Sequence, residues 1–304
     1  MKKTGTISLP KHLDRRGNLS VAEELKDVPF EIARVYWVYG VPGGERRHGH
    51  AYRRGEELII ALSGSFDVVT DDGMERKTFR LSRSYYGLYV APGTWRELTD
   101  FSTNSLALVI SSTPYDPDDY LETEEEFKAY VAERHDGDKE ASGRGYCKCE
   151  APAGETDPAS MPGVYDCAVI ELPRHLFDRQ GDLCVAENDG TLPFETRRVY
   201  YTYDIPAGES RGGHAHRDCM ELVVAASGSF TVTVDDGKVR RTVMLNRPYQ
   251  GILLPTGIWR TLDDFSSGAV CLVLASHGYD PTEYIEDYQE FLRYRGAGSH
   301  GEIS

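Results

Sequence analysis

The stretch Gly208-Glu-Ser-Arg-Gly-Gly-His214-Ala-His216 decides how the chain is interpreted, and Glu221 and Gly228 follow it. Two imidazoles two positions apart on an extended strand project from the same face, and a carboxylate shortly downstream can join them. Polar side chains that converge inside a β-structure are costly unless they are paired or used. The stretch therefore predicts a strand with a site for proton transfer or for a metal ion.

Segments of the first half recur in the second half at a constant separation of 164 residues (199 − 35, 228 − 64, 259 − 95). A period this long indicates duplicated domains. We predict a first domain over residues 1–131, a linker over 132–166 and a second domain over 167–304. The matched segments include Val35-Tyr36-Trp37 with Val199-Tyr200-Tyr201, Gly64-Ser65-Phe66 with Gly228-Ser229-Phe230, and Trp95-Arg96 with Trp259-Arg260.

Short apolar runs separated by turns fill each copy, which indicates mostly antiparallel β-structure in a sandwich or barrel. Asp72-Gly73 and Asp236-Gly237 predict tight hairpin turns. Helical spacing predicts a short helix near the end of each copy, at 117–130 and 281–294. In the first copy the expected strands are 35–39, 58–62, 66–70, 87–90 and 105–111.

The composition is that of a globular protein, with 40% hydrophobic and 27% charged residues. No apolar run approaches the roughly 20 residues that cross a bilayer, and no secretory signal is evident. We expect a cytoplasmic protein with no membrane partner. The net charge of −15 argues against nucleic-acid binding. Local arginines beside the histidines, including Arg197-Arg198, remain candidate contacts for a small phosphorylated ligand.

The six cysteines do not form the pattern of a small disulfide scaffold, and we expect most of them to be reduced. Cys147-Lys-Cys149 is the closest pair. It has no second pair to complete a zinc site, so zinc is not favoured there.

The spacing G-x5-H-x-H-x4-E-x6-G from Gly208 to Gly228 resembles the first motif of the cupin superfamily, whose members are small jelly-roll β-barrels. Many cupins bind a metal through these side chains and a further histidine. In this chain an arginine stands at the position of that further histidine, Arg260 in the second copy and Arg96 in the first. A guanidinium cannot ligate a cation and repels it. We therefore expect no metal and no other cofactor. Paired imidazoles suit proton transfer near neutral pH.

A wider resemblance is carried in the second copy by Arg198-Val-Tyr-Tyr201, Gly208-Glu209, Arg211-Gly-Gly-His-Ala-His216, Gly228-Ser229, Asp235-Asp-Gly237, Gly251, Trp259, Asp264-Phe-Ser-Ser267 and Tyr279-Asp280. Together they resemble the nucleotide-sugar 3,4-ketoisomerases, which are cupins that act on dTDP-4-oxo-6-deoxyglucose. The resemblance implies that the keto group moves from C4 to C3 through an enediol without a metal. It also implies a place in making deoxysugars for surface polysaccharides.

The functional histidines of that family correspond to His214 and His216, of which one is the base and the other moves protons on the sugar oxygens. The assignment between them is open. Arg211 is a candidate for the pyrophosphate or for an oxyanion. Tyr201 could offer its hydroxyl to the sugar, and Glu221 completes the predicted substrate contacts.

The first copy reads Arg47-His48-Gly49-His50-Ala51-Tyr52, so a tyrosine replaces the second histidine. A phenol has a pKa of about 10 and shuttles protons less readily at pH 7. His50 remains a catalytic candidate, with Arg47 and Tyr52 as substrate contacts. We predict that the second domain is competent and that the first is impaired or altered.

Single-domain members of the family are dimers that exchange N-terminal strands, which implies an intramolecular pseudo-dimer here. Asp14-Arg-Arg-Gly17 would then pack beside the second site, and Asp178-Arg-Gln-Gly181 beside the first. Two alternatives stay open. One is a non-catalytic bicupin that binds a nucleotide sugar, and the other is a related nucleotide-sugar epimerase.

Overall fold

A computed structural model describes residues 3–136 and 161–296. The strands of the first half are β1 (Gly5–Ser8), β2 (Lys11–His12), β3 (Asn18–Glu23), β4 (Arg34–Tyr39), β5 (Arg47–Tyr52), β6 (Glu57–Ser63), β7 (Phe66–Asp71), β8 (Arg76–Leu81), β9 (Tyr86–Val90), β10 (Trp95–Thr99), β11 (Leu106–Ser111) and β12 (Tyr120–Leu121). Helix α1 (Glu124–Asp136) follows them.

The second half repeats this order and ends in helix α2 (Tyr288–Tyr294). Its strands are β13 (Val169–Glu171), β14 (Arg174–His175), β15 (Asp182–Glu187), β16 (Arg198–Tyr203), β17 (Arg211–His216), β18 (Glu221–Ser227), β19 (Phe230–Asp235), β20 (Arg240–Leu245), β21 (Gln250–Leu254), β22 (Trp259–Asp263), β23 (Val270–Ala275) and β24 (Tyr284–Ile285). Neither α1 nor α2 is long and apolar enough to span a membrane.

The strands form two five-stranded sheets, each from one half, and two seven-stranded sheets, each of which takes two strands from the other half. The orders are β12-β5-β10-β7-β8 with β1-β9-β6-β11-β4-β15-β14, and β20-β19-β22-β17-β24 with β13-β21-β18-β23-β16-β3-β2. We term these pairs of sheets the first and the second barrel. Apolar side chains such as Phe66 and Phe230 fill the space between the sheets. The predicted fold class is confirmed: mostly β, in two repeated jelly-roll units that each end in a short helix.

The two halves exchange strands near their N-termini. β3 pairs with β16, from Arg198 opposite Glu23 to Tyr203 opposite Asn18. β15 pairs with β4 in the same way. The largest buried apolar cluster draws on both halves and includes Trp37. This exchange places each half's loop before β3 or β15 at the edge of the other barrel.

The helices begin later than the sequence predicts. Residues 117–119 and 281–283 form short 3-10 turns, and β12 and β24 follow before the helices start. The chain must stay extended there because β12 pairs with β5 and β24 pairs with β17. Helix α1 runs to Asp136 and so enters the predicted linker, and Val164 near the linker's other end is fully buried. Cys147-Lys-Cys149 lies outside the described residues.

Candidate active site

Successive side chains of β16 point to opposite faces of its sheet, so they lie in two different environments. Arg198 and Tyr200 point into the second barrel, whereas Val199, Tyr201 and Tyr203 join the apolar cluster between the halves. Neighbouring strands complete the lining of the barrel. Of these, β17 carries His214 and His216. The other lining side chains are Glu221 at the start of β18, Arg260 on β22 and Tyr284 on β24.

A buried Tyr–Glu–Arg cluster forms the floor of the site. The Tyr200 hydroxyl donates to Oε1 of Glu221 at 2.5 Å. Arg260 donates from Nε to Oε2 at 3.0 Å and from Nη2 to the Tyr200 hydroxyl at 2.9 Å. Burial alone would raise the pKa of Glu221, but Arg260 outweighs it and holds that pKa well below the usual value. Glu221 is therefore an ionised carboxylate with both oxygens occupied.

The two imidazoles lie over this cluster with their centroids 5.0 Å apart and their planes nearly perpendicular. The Tyr284 ring packs against both, 4.9 Å from His214 and 4.4 Å from His216. His216 Nε2 lies 3.3 Å from Glu221 Oε1. Burial and the charge of Arg260 hold the pKa of His214 well below 6.5. His214 is thus a neutral imidazole near pH 7.

Both imidazoles carry buried nitrogen atoms that lack a hydrogen-bond partner within the described segments. These are Nε2 of His214 and both ring nitrogens of His216, whose Nε2 lies 3.3 Å from Glu221 Oε1 without a hydrogen bond. A buried polar atom without a partner costs free energy, so such atoms indicate a water or ligand in the working state. The unsatisfied atoms are the ones that could exchange protons with a substrate.

The donor set fits a metal ion poorly, although His214, His216 and Glu221 could each offer one atom, all within 4.8 Å of one another. Both oxygens of Glu221 already accept hydrogen bonds, from Tyr200 and Arg260. Arg260 also puts a fixed positive charge 3.4 Å from Nδ1 of His214. The residues present therefore do not fit a metal ion.

The first barrel has the same Tyr–Glu–Arg cluster at its floor as the second barrel, but a His–Tyr pair in place of the two histidines. Tyr36, Glu57 and Arg96 repeat the Tyr–Glu–Arg cluster, with 2.5 Å from the tyrosine hydroxyl to the carboxylate and 2.9 Å from Arg96 Nε to it. His50 lies 3.2 Å from the hydroxyl of Tyr52. Burial, with a further effect of Glu57, raises the pKa of Tyr52 well above 10, so the phenol stays protonated.

The hydroxyls of the first barrel are hydrogen-bonded to one another and to Arg34, although Nε of Arg34 has no partner within the described residues. Tyr52 donates to the Tyr120 hydroxyl at 2.9 Å, and Arg34 donates to Tyr52 at 3.2 Å and to Tyr120 at 3.0 Å. The ring nitrogens of His50 are not among the unsatisfied buried atoms of the described residues. Tyr52 therefore forms hydrogen bonds in the first barrel that His216 does not form at the corresponding position of the second barrel.

Loops from the opposite half lie beside both sites, where the resemblance places them. Arg211 donates to the carbonyl of Gly17 and lies 3.6 Å from the Asp14 carboxylate. Arg47 donates to the carbonyl of Gln180 at 2.7 Å. Both arginines that the sequence assigns to substrate are thus engaged with the exchanged loops.

A family model described as "FdtA: WxcM-like, C-terminal" matches residues 2–132 and again residues 165–296. The chain belongs to this family. It is 39% identical over 126 residues to the TDP-4-oxo-6-deoxy-alpha-D-glucose-3,4-oxoisomerase of Aneurinibacillus thermoaerophilus, a match that covers 41% of this chain and 91% of the relative. The resemblance that the motifs indicate is confirmed by these matches.

Similar solved structures include a 3,4-ketoisomerase from Helicobacter canadensis, at 37% identity and a TM-score of 0.42, covering 43% of this chain and 98% of the other. The TDP-quinovose 3,4-ketoisomerase of Campylobacter jejuni is 35% identical with a TM-score of 0.41, covering 42% and 99%. Both correspond in length to one half of this family member.

The prediction for Tyr201 is wrong. Its side chain is fully buried between the halves, where the hydroxyl donates to the carbonyl of Ser84, because odd-numbered residues of β16 face away from the barrel. Tyr200 takes the place at the site. Tyr200 and Tyr284 were missed as site residues, although both recur at the repeat separation as Tyr36 and Tyr120. Arg198, a candidate phosphate contact from the sequence, lies buried inside the barrel.

Proposed function

We propose that the chain is a sugar 3,4-ketoisomerase that moves the keto group of a dTDP-4-oxo-6-deoxyhexose from C4 to C3. The observation that carries this proposal is the pair of buried, unsatisfied imidazoles at His214 and His216 above the ionised Glu221. The matches of both halves to the family, and the oxoisomerase relative at 39% identity, support it.

We assign the two histidines different roles. His214 is neutral and its Nε2 has no partner within the described residues, so in the tautomer with Nε2 unprotonated it can take the proton from C3 and, after exchange with water, deliver a proton to C4. His216 Nε2 stands 3.3 Å from the Glu221 carboxylate, and we assign it the proton transfers on oxygen: it protonates the C4 oxygen and takes the proton from the C3 oxygen. The four proton transfers convert the 4-ketone into the 3-ketone, with an enediol between them.

We propose that the second barrel is the competent site. There the imidazole nitrogens are open, whereas Tyr52 in the first barrel is protonated and bound to Tyr120 and Arg34. His50, Arg47 and Tyr52 would then form a site for the same ligand with little or no turnover. The exchange of β3 and β15 supports an intramolecular pseudo-dimer of units 1–131 and 167–304, joined through 132–166 and acting in the cytoplasm.

The deciding experiment is incubation with dTDP-4-oxo-6-deoxyglucose in deuterated water, followed by NMR of the product. Deuterium at C4 of a 3-oxo sugar is the expected result. Label only at C3 or C5 would indicate an epimerase, and binding without exchange would indicate a non-catalytic bicupin. Turnover that survives dialysis against a chelator is expected, since no step requires a metal.

A further inference from the structure

Glu23 ends strand β3 of the first half and lies beside the second barrel, opposite Arg198 in the pairing of β3 with β16. Its carbonyl accepts the backbone N–H groups of Asp27 at 2.9 Å and of Val28 at 3.1 Å, which fixes its backbone. Its carboxylate Oε2 accepts the backbone N–H of Tyr279 at 3.3 Å. Tyr279 belongs to the loop over residues 276–283 that joins β23 to β24, so a side chain of the first half holds a loop of the second.

The carboxylate and this loop approach each other closely at Gly278. A Cβ atom added to Gly278 would lie 2.7 Å from Oε1 of Glu23, so a larger residue there would push the carboxylate away. The Glu23 side chain is 15% exposed, and Lys26 Nζ lies 3.1 Å from its Oε2. The loop is therefore anchored by a largely buried carboxylate whose charge is balanced within its own half.

Contacts run from the anchored loop to the two imidazoles of the second barrel. The ring of Tyr279 lies 5.6 Å from the ring of Tyr284, centroid to centroid. The ring of Tyr284 packs in turn at 4.9 Å from His214 and 4.4 Å from His216. Tyr284 begins the two-residue strand β24 directly after the loop, and it pairs with His216. A shift of the loop would therefore move the ring against which both imidazoles pack.

The first barrel contains the same anchor and so provides a comparison within one chain. Glu187, the last residue of β15, accepts the backbone N–H of Tyr115. The ring of Tyr115 lies 5.3 Å from that of Tyr120, which lies 5.2 Å from the ring of His50. The two anchors are equivalent in the fold, but only the one made by the first half leads to a pair of histidines.

We propose that Glu23 is a positioning residue for the second site, which it reaches from the opposite half of the chain. It acts through the backbone of residues 278–279 and the ring of Tyr284, and it sets the orientation of His214 and His216 without touching the substrate. This inference rests on the proposed function. Proton transfer depends steeply on geometry, and a misplacement of about 1 Å can cost on the order of 100-fold in rate.

The test compares Glu23→Ala with Glu187→Ala in the full-length chain. We expect Glu23→Ala to lower kcat by about 10-fold or more with a smaller change in KM, because the anchor acts on the imidazoles. Glu187→Ala should keep the kcat of the wild type, while thermal unfolding shows a similar loss of stability in both variants. Glu23→Gln retains an oxygen that can accept the N–H of Tyr279, so it should recover most of the kcat.

A second comparison asks whether the effect passes through the loop. Glu23→Ala combined with Tyr279→Ala should lose little more kcat than the larger of the two single losses, because both changes interrupt one series of contacts. Losses that multiply in the double variant would overturn the proposal. A kcat of Glu23→Ala equal to that of the wild type would do the same, as would a change confined to KM or an equal loss in Glu187→Ala.

Should Glu23→Ala not fold, Gly278→Ala displaces the carboxylate without removing it and is also expected to lower kcat. An unchanged kcat in that variant would count against the role of Glu23. If the wild type performs no isomerisation, the proposed function fails, but amide hydrogen exchange still tests the anchor. The amide of Tyr279 should then exchange faster in Glu23→Ala than in the wild type, and equal exchange rates would refute the anchor.

Discussion

The Nη1 atom of Arg260 lies 3.4 Å from Nδ1 of His214, so a permanent cation stands beside the proposed base. Together with burial it holds the pKa of His214 well below 6.5. A base of this kind stays unprotonated in mildly acidic solution, where an ordinary histidine would be charged. The consequences can be measured in both activity and stability.

The pH dependence of kcat/KM is the first prediction. We expect its acid limb to fall at a pH below 6.5, because His214 must be neutral in the free enzyme. The free energy of unfolding should also fall as the pH is lowered. His214 binds a proton more readily unfolded than folded, so its contribution to the free energy of unfolding is lost as pH falls below about 6.5. A His214→Asn variant should show a flatter stability profile between pH 5 and 7, and an equally steep profile would contradict the assignment.

Loss of either imidazole in the second barrel is the second prediction. His214→Asn and His216→Asn should each lower kcat by about 100-fold or more, which is the usual contribution of a general acid or base. Deuterium exchange at C3 should separate them, since only His214→Asn removes the carbon base. His48→Asn is the matched control because His48 is exposed on the first barrel. Full turnover in either second-barrel variant would refute the proposed mechanism.

Much of this architecture was predictable, because the separation of 164 residues aligns each element with its copy. The H-x-H spacing located the site, since alternation on a strand is a local property. The face of β16 was not predictable, because Tyr200 and Tyr201 are adjacent tyrosines and only packing between the halves decides which one is buried there. Tyr284 was equally hidden, since it reaches the imidazoles through a two-residue strand that pairs with β17.

Restoring the histidine pair in the first barrel is the third prediction. Tyr52→His frees His50 from the phenol and leaves Arg34 with one hydroxyl acceptor, as Arg198 is left in the second barrel. In a His214→Asn/His216→Asn background we expect it to restore measurable isomerisation. Tyr52→Phe in that background is the control, because it removes the hydroxyl without adding a base. If the histidine variant is as inactive as the phenylalanine variant, another difference between the barrels disables the first site.

The buried ion pair of the floor gives the fourth prediction. Glu221→Gln leaves the buried guanidinium of Arg260 without a counter-charge, so the free energy of unfolding should fall by about 3–5 kcal/mol in urea titration. Glu290→Gln breaks a surface pair with Arg217, where Glu290 is 47% exposed, and should cost below about 1 kcal/mol. Similar losses in the two variants would show that the floor pair contributes no more than a surface pair.

The last prediction concerns Gly212, where β17 departs from regular pairing with β22. Its φ is +72°, and its carbonyl accepts a hydrogen bond from Arg260 Nη1 at 2.9 Å. A Cβ atom there would lie 2.6 Å from Nη1, so Gly212→Ala must displace the guanidinium that lies beside His214. The first barrel has the exposed His48 at this place, and its Arg96 makes no such backbone contact within the described residues.

Gly208→Ala separates backbone strain from this displacement, because Gly208 has a similar φ of +82° but no atom within 4 Å of an added Cβ. Both variants should lose about 1 kcal/mol or more from the unfavourable φ. Only Gly212→Ala should also lower kcat and shift the acid limb of kcat/KM towards higher pH, since moving Arg260 away lets His214 protonate more readily. A pH profile unchanged in Gly212→Ala would mean that Arg260 does not set the proton affinity of the base.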